Sequence, residues 1–243
     1  MKKVLLIILV IIVLVVVVGV ALLGYLGFIP GLAHFFGSDK PRDLGVVWTA
    51  TDYNQGHAKT KVAVVSATGD VSPKESLQLT GSHTAKLNLS SPEITAIINT
   101  NSANWKYFPV TNVQVRIGAD GFAQVSGILN FDRLSGYAAA TGANYANIQL
   151  VMDKFKLMPA QLPFYIAGTA TATNNTASLN LNQVELGRAP VPANYLTDYK
   201  SQIDGFFTQQ LNAYPGFSVK TASLLGGNVN FDGTLSDRIV SYK

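Results

Sequence analysis

Two aspartates come closer than any other residues in this sequence to the pattern of a catalytic pair. Asp132 and Asp232 end the matching words Asn-Phe-Asp at positions 130–132 and 230–232. A hydrolase that uses paired carboxylates needs one as a general acid and the other as a base or nucleophile, at close range. A two-fold relation between the two words would bring these carboxylates together. The alternative, which we favour, is that each aspartate closes a strand through a local turn.

The other residue types that perform chemistry are scattered. His34, His57 and His83 lie in segments of different character, and no HExxH, GxSxG, P-loop or GxGxxG motif occurs. The chain has no cysteine, which excludes disulfides, thiolate catalysis and thiolate zinc sites. We therefore predict no catalytic, metal or cofactor-binding residues.

An aromatic cluster at Trp105, Tyr107 and Phe108 is a candidate for stacking on a sugar ring. Aromatic residues between a helix and a strand more often bury their rings in a core. We therefore predict a packing role for this cluster.

The elements that would position any site begin with Val4 to Leu23, a segment without a charged or polar side chain. A helix of about 20 apolar residues spans the roughly 30 Å hydrocarbon core of a bilayer. A cleaved signal peptide is the alternative, but its apolar stretch is usually only about 7–15 residues long. Lys2 and Lys3 favour a cytoplasmic N-terminus. These features predict a single-pass protein of the cell membrane, with a transmembrane signal-anchor at 1–30, a linker at 31–43 and an extracytoplasmic domain at 44–243.

The composition of the exported part suits antiparallel sheets. Charged residues make up 13% of the chain, and without Lys2 and Lys3 the net charge falls from +4 to +2. No basic cluster is present that could neutralise a phosphate backbone, so we predict no nucleic-acid partner. Thr, Asn, Ser and Gln are abundant, as on the solvated face of antiparallel sheets.

Strands are predicted where apolar residues alternate between turn signals. Hairpin turns are expected at Asp120-Gly121, Asn174-Asn175 and Gly226-Gly227. The predicted strands are 44–49, 62–65, 77–89 with a bend at Gly81, 113–117, 122–131, 165–173, 177–186, 217–225 and 229–235.

Helices are predicted between these strands. A brief helix is expected from Thr51, and one of about ten residues is capped either by Ser90 with Glu93 or by Ser91 with Pro92. A longer helix at 194–213 has one apolar face. Ile148, Val151, Met152 and Phe155 favour a helix, although Ile148, Leu150 and Met152 also fit a strand.

Two segments of the domain resemble each other. Thr84 to Leu89 (TAKLNL) and Thr176 to Leu181 (TASLNL) differ at one of six positions, and each precedes a loop, a helix and a hairpin with a Gly turn. The order of the motifs predicts an internal duplication with repeats at 77–131 and 163–235. Chance similarity is the alternative, because strands rich in Thr, Leu and Asn resemble one another easily.

Several short motifs are similar to those of a known family. They are Val184 to Pro192 (VELGRAPVP), Ser91 to Thr95 (SPEIT), Val125 to Gly127 (VSG) and Tyr165 to Gly168 (YIAG). Together they resemble the YpmS-type family of single-pass bacterial envelope proteins, over roughly residues 77–235. The resemblance implies an N-terminal anchor, an exported α+β domain and no established activity. It supplies no catalytic residues.

The sequence thus predicts an α+β domain of antiparallel sheets packed with helices, acting as a membrane-anchored binding or structural module of the cell envelope. An apolar surface made of Val113, Val115, Ile117, Leu179 and Leu181 is the candidate site for lipid or another apolar ligand. A closed core at these positions is the simpler alternative. The expected partners are the membrane and either lipid or an envelope protein. The rival hypothesis is an envelope hydrolase built on Asp132 and Asp232.

Overall fold

The computed structural model describes residues 2–143 and 159–243, with side chains from residue 11 onward. Helices and largely antiparallel sheets are mixed along the chain, as predicted. The helices are α1 (Lys2–Tyr25), α2 (Pro30–Phe36), α3 (Ala50–Thr60), α4 (Ser91–Ala103), α5 (Leu134–Thr141), α6 (Ala193–Asp198) and α7 (Lys200–Ala213). The strands are β1 (Ala63–Ala67), β2 (Leu77–Thr80), β3 (His83–Ser90), β4 (Val110–Ile117), β5 (Ala123–Asn130), β6 (Gln161–Thr173), β7 (Thr176–Leu186), β8 (Ala189–Pro190), β9 (Ser218–Leu225), β10 (Asn228–Leu235) and β11 (Arg238–Tyr242).

The long strand β6 is central to the larger sheet, in which β3-β10-β9-β6-β5-β4 are neighbours, β7 pairs with the other edge of β6 and the short β8 pairs with β7. Both β5 and β9 pair with β6 on the edge opposite β7, β5 along its first part and β9 near its end. The hairpins β4-β5 and β9-β10 therefore meet turn to turn. At that junction Gly226 and Gly227 donate backbone hydrogen bonds to Ala119 and Gly118, both at 3.2 Å.

The smaller sheet has the order β1-β11-β2. β1 and β11 are parallel, whereas β11 and β2 are antiparallel. This sheet joins segments that are far apart in sequence, because Ala63 pairs with Arg238.

Two helices cover free edges of the larger sheet with polar side chains. On α4, Ser91, Thr95 and Asn99 accept hydrogen bonds from the N–H groups of Ile117, Val115 and Val113, at 3.0, 3.0 and 2.9 Å. Four residues of helix rise about 6.0 Å and two residues of strand about 6.6 Å, so a residue on every helical turn meets alternate strand N–H groups. The edge of β4 is thereby left without donors for a further strand.

Side chains of α7 cover the edge of β7 in the same way. Asp204 accepts the N–H of Leu179 at 2.8 Å, and Thr208 accepts the N–H of Ala177 at 3.0 Å. Four residues further along, Asn212 donates to the carbonyl of Asn175 at 3.1 Å. Both helices thus substitute side chains for a missing neighbouring strand.

The segment after α1 packs on the domain. The N–H of Arg188 donates to the carbonyl of Leu26 at 3.0 Å. Gly187 has a φ of +64°, and a Cβ at this position would overlap the Leu26 carbonyl oxygen. Further on, Nη2 of Arg42 donates to both carboxylate oxygens of Glu185, at 2.9 and 2.8 Å. Leu26, predicted as part of the anchor, and Arg42, predicted as part of the linker, therefore both make defined contacts with the domain.

Several local predictions are confirmed. Hairpins form at all three expected turns, between β4 and β5, β6 and β7, and β9 and β10. The helix α4 begins with a capping box, in which Ser90 accepts the N–H of Glu93 and Glu93 accepts the N–H of Ser90. The alternative cap by Ser91 is therefore wrong.

Other local predictions are wrong. The segment 44–49 forms no strand, because the N–H groups of Leu44 and Val46 donate to the side chain of Gln114, at 2.8 and 3.4 Å, rather than to another strand. The predicted bend at Gly81 separates β2 and β3, which belong to different sheets. The helix at 194–213 is interrupted at Tyr199. The helix predicted from Thr51 is longer, and its cap is Thr49.

The internal duplication and the structure of residues 148–155 stay predictions. Both 77–131 and 163–235 have the order strand, helix and hairpin, but α4 lies along the strand that follows it, whereas α7 lies along the strand that precedes it. The two segments therefore share the order of their elements but differ in which strand the helix packs against. The duplication stays a hypothesis. The residues 148–155, predicted as a helix or strand, lie outside the described residues.

Within the described side chains, no single helix combines the length and the apolar composition of a membrane span. The part of α1 from Ile11 to Tyr25 has the length and composition of a span only when α2 is counted with it. The two helices are bent by 73° relative to each other.

Candidate ligand-binding site

A cavity of about 430 Å³ lies between the smaller sheet, α3 and the C-terminal ends of α4 and α7. This volume is within the range of about 300–1,000 Å³ that is usual for small-molecule sites. Its apolar lining consists of Val62, Val64, Leu77, Leu79, Ile97, Trp105, Phe108, Leu211, Phe217, Leu235 and Ile239. Its polar lining consists of His57, Thr60, Asn101, Gln210, Tyr214 and Ser236.

The local sequence explains why these side chains converge. In β1 and β2, alternate residues point to one face of the smaller sheet, so Val64 enters the cavity with Leu77 and Leu79. On α4, Ile97 and Asn101 are one turn apart and face the same side. The sheet and the helix thus each contribute one face to the cavity wall.

The apolar lining is incompletely packed. Nine of its eleven side chains are only partly buried, and Val62 and Trp105 alone are buried. In a filled protein core such side chains would be in close contact on all sides. Part of the surface of these residues is therefore free to contact another apolar molecule.

Trp105 forms the aromatic part of the wall. Its side chain is 5% exposed, and its indole N–H donates to the hydroxyl of Ser76 at 3.0 Å. The ring packs near those of Phe108 and Tyr137, with centroids 5.9 and 5.7 Å away. The predicted packing role of this aromatic cluster is confirmed for Trp105, which also lines the cavity.

On the polar side, the lining residue Tyr214 is paired with Tyr137, which lies behind it. The hydroxyl of Tyr137 donates to Gln210 Oε1 at 3.0 Å and lies 3.1 Å from the hydroxyl of Tyr214. Burial raises the pKa of both phenols above the ordinary tyrosine value. Both hydroxyls therefore stay protonated and uncharged at neutral pH.

Three residues lining the cavity carry unsatisfied polar atoms. In the described parts of the chain, four buried side-chain atoms lack a hydrogen-bond partner, and three of them are His57 Nε2, Asn101 Oδ1 and Gln210 Nε2. An unsatisfied buried polar group costs about 1–3 kcal/mol. The three residues belong to the cavity lining, but these particular atoms are enclosed by the protein.

The predicted apolar surface is divided between two helices. Val113, Val115 and Ile117 are buried at 3%, 8% and 6% exposure and pack with Ile94 and Ile98 of α4. In contrast, Leu179 and Leu181 border a small cleft of about 170 Å³ beneath α6 and the start of α7. None of these five residues lines the 430 Å³ cavity.

The structure gives Asp132 and Asp232 separate surroundings. Asp132 is exposed in a short 3-10 turn after β5. Asp232 lies within β10, where its carboxylate is 3.9 Å from Lys220 Nζ. Neither residue lines the cavity, and no hydrogen bond joins them. The expected position of Asp232 at a strand end is wrong.

The histidines are also separate. His34 contacts Asp39, and His83 contacts Asp237 and the Thr60 carbonyl. His57 stacks on the ring of Tyr53, with centroids 5.4 Å apart. Among the described residues, no group of three or more His, Asp or Glu side chains could hold a metal ion.

The cavity is absent from the predictions made from the sequence. These predictions include the alternation at 62–65 and 77–79 but not β11, which joins β1 and β2 into the sheet that forms the wall. The pairing of residues 63–67 with 238–242 leaves no local signal in either segment.

Comparisons of the chain with protein-family models, curated proteins and solved structures find no match. The similarity to the YpmS-type family therefore depends only on the short motifs described above.

Proposed function

We propose that this protein is a membrane-anchored, extracytoplasmic module of the cell envelope that binds a lipid acyl chain in the 430 Å³ cavity. The observation that carries the proposal is the incompletely packed apolar lining of this cavity. An apolar ligand would bury that surface and gain roughly 25 cal/mol for each Å² removed from water. For a chain of twelve methylenes the gross gain is about 10 kcal/mol, from which ordering costs are subtracted.

The N-terminal helix supports the membrane part of this proposal. The 24 residues of α1 would extend about 36 Å at 1.5 Å per residue. Between Ile11 and Leu23 its large apolar side chains are 43–62% exposed. A continuous exposed apolar surface of this kind is stable in lipid or against a partner. An anchor would also keep the cavity next to a supply of acyl chains.

The contacts between the anchor and the domain add to this argument. Arg188 bonds to Leu26, and its guanidinium lies 5.8 Å from the centroid of the Tyr25 ring. The domain would therefore lie directly against the membrane surface.

The proposal can be tested by fluorescence quenching, since the chain has only two tryptophans. In a Trp48→Phe variant the cavity residue Trp105 is the sole tryptophan. The full-length protein is placed in phosphatidylcholine nanodiscs that contain a lipid brominated on its acyl chain. Because bromine quenches tryptophan on contact, entry of the chain should quench Trp105 in a saturable manner.

Neighbouring residues of β1 supply a matched control. Val64 lines the cavity, whereas Val65 does not, and the two point to opposite faces of the sheet. Val64→Phe should fill the cavity and abolish the quenching, and Val65→Phe should leave it unchanged. Equal quenching in both variants, or none in the parent, would refute lipid binding and favour a purely structural role.

A further inference from the structure

We infer that a second site on this protein binds the phosphate-bearing head group of an anionic phospholipid, at the point where α1 meets the domain. The site is a cleft of about 400 Å³ whose lining includes Tyr25, Lys40, Arg42, Glu185 and Arg188. The inference rests on the membrane anchor of the proposed function and is independent of acyl-chain binding in the 430 Å³ cavity. The described linings of the two sites have no residue in common.

Three cationic side chains from distant parts of the chain converge on this cleft. Lys40 and Arg42 belong to the segment between α2 and α3, Arg188 lies in the turn between β7 and β8, and all three are exposed. The fold brings them together, because Arg42 bonds to Glu185 at the end of β7. A basic cleft that no local run of the sequence contains is formed in this way.

The positive charge of the cleft is more accessible than the acidic charge that faces it. In the pair of Arg42 and Glu185 the carboxylate side chain is only 13% exposed, whereas the guanidinium side chain is 46% exposed. The Arg42 guanidinium also lies 4.0 Å from the centroid of the buried Tyr165 ring, which holds it in place. With Asp43 included, the described lining carries three cations and two carboxylates. The excess of one positive charge matches a lipid with one net negative charge.

Aromatic side chains beside the cleft are arranged as at a membrane surface. Tyr25 ends α1, lines the cleft and is 47% exposed. Its ring packs edge-on against Phe36, with centroids 6.0 Å apart, and the neighbouring Phe35 is 80% exposed. Aromatic residues at the end of an apolar helix are typical of the membrane–water interface. The cleft therefore lies at the depth of the lipid head groups.

The chemistry of the cations favours a phosphate. Arg and Lys donate charge-assisted hydrogen bonds to phosphate oxygens, and basic side chains next to a bilayer attract anionic lipids. Phosphatidylcholine has the same phosphate, but its choline cation cancels the charge and would meet the exposed Lys40. We therefore expect phosphatidylglycerol to bind in preference to phosphatidylcholine.

Native mass spectrometry of the full-length protein released from nanodiscs can test the inference. The nanodiscs contain equal amounts of phosphatidylglycerol and phosphatidylcholine with the same acyl chains. The parent should retain more phosphatidylglycerol, and Lys40→Gln and Arg188→Gln should each lower this preference about fivefold. Arg188→Lys keeps the charge and should retain most of the preference. The control Lys74→Gln removes one exposed charge outside the cleft and should leave the preference unchanged.

The possible failures are distinguishable. A parent without preference, or an equal loss in Lys74→Gln, would overturn the inference, since binding would then follow net charge alone. Retention of added inorganic phosphate in place of lipid would also overturn it, by assigning the cleft to a free anion. Either result leaves the quenching of Trp105 by brominated chains unaffected, and Val64→Phe should abolish that quenching while keeping the head-group preference. Failure of the protein to insert into nanodiscs would refute the anchor itself.

Discussion

The substitution Thr95→Val should destabilise the protein, because it removes a hydroxyl with which α4 covers the edge of β4. Thr95 is fully buried, and its hydroxyl accepts the N–H of Val115 at 3.0 Å. It also lies 3.4 Å from the Val115 carbonyl, to which it donates. Valine has nearly the same shape but no hydroxyl, so the variant leaves the N–H of Val115 buried without a partner.

The expected loss follows from that unsatisfied donor. A buried N–H without a partner costs about 1–3 kcal/mol, and the similar shape of valine keeps any packing change small. For a folded part of about 200 residues, each kcal/mol lowers the melting temperature by roughly 2–4 °C. We therefore expect the melting temperature to fall by about 2–12 °C.

Circular dichroism of the full-length protein in detergent measures this change by thermal unfolding. Hydrogen exchange with mass spectrometry adds a local test, since exchange at Val115 should become faster while that in β7 stays unchanged. Thr100→Val on the same helix is the control. Thr100 is partly buried, its hydroxyl makes no hydrogen bond to the described residues, and the expected change is below about 0.5 kcal/mol.

The corresponding residue of α7 extends the test. Thr208 accepts the N–H of Ala177 at 3.0 Å but is less buried than Thr95. Thr208→Val should therefore have an effect in the same direction and of smaller size, because water can reach the N–H that is left. If Thr95→Val unfolds at the same temperature as Thr100→Val, the side chains on α4 do not stabilise the strand edge and our explanation is wrong.

Three further predictions concern other parts of the chain. Burial opposes ionisation of Asp204, but hydrogen bonds from Lys200 and the N–H of Leu179 outweigh it and hold the pKa of Asp204 below its ordinary value. The resulting stability is present above about pH 4 and is lost as the pH falls through the lowered pKa, so acid titration of Asp204→Asn should show a smaller decrease in stability than the parent. Gly187→Ala should push the Leu26 carbonyl away, detach the end of α1 and speed hydrogen exchange at the amide of Arg188. Gly226 has the same φ of +64° but open space around it, so Gly226→Ala should not detach α1. Equal destabilisation by the two substitutions would mean that backbone strain alone explains the effect. External protease should digest the domain on intact spheroplasts while the N-terminal residues are retained, and a mature protein that starts at His34 would contradict the anchor.

The position of the candidate site could not be predicted from the sequence. The apolar row of Val113, Val115 and Ile117 is correctly placed on one face of a strand, since alternation is a property of neighbouring residues. Whether such a row faces a ligand or a helix depends on what covers it. Here α4 covers it, and the open apolar space lies instead against β1, β2 and β11.

Turns, caps and strand periodicity were determined by the sequence itself. The Asp120-Gly121 and Gly226-Gly227 turns and the Ser90 cap depend on backbone preferences and hydrogen bonds within a few residues, which the local residue types specify. The order of strands was decided only by the tertiary structure. Pairing of β1 with β11 closes a loop of more than 160 residues, and its stability depends on the packing of the whole domain. The cavity follows from that pairing, because side chains from distant segments face one another only after the strands have found their partners.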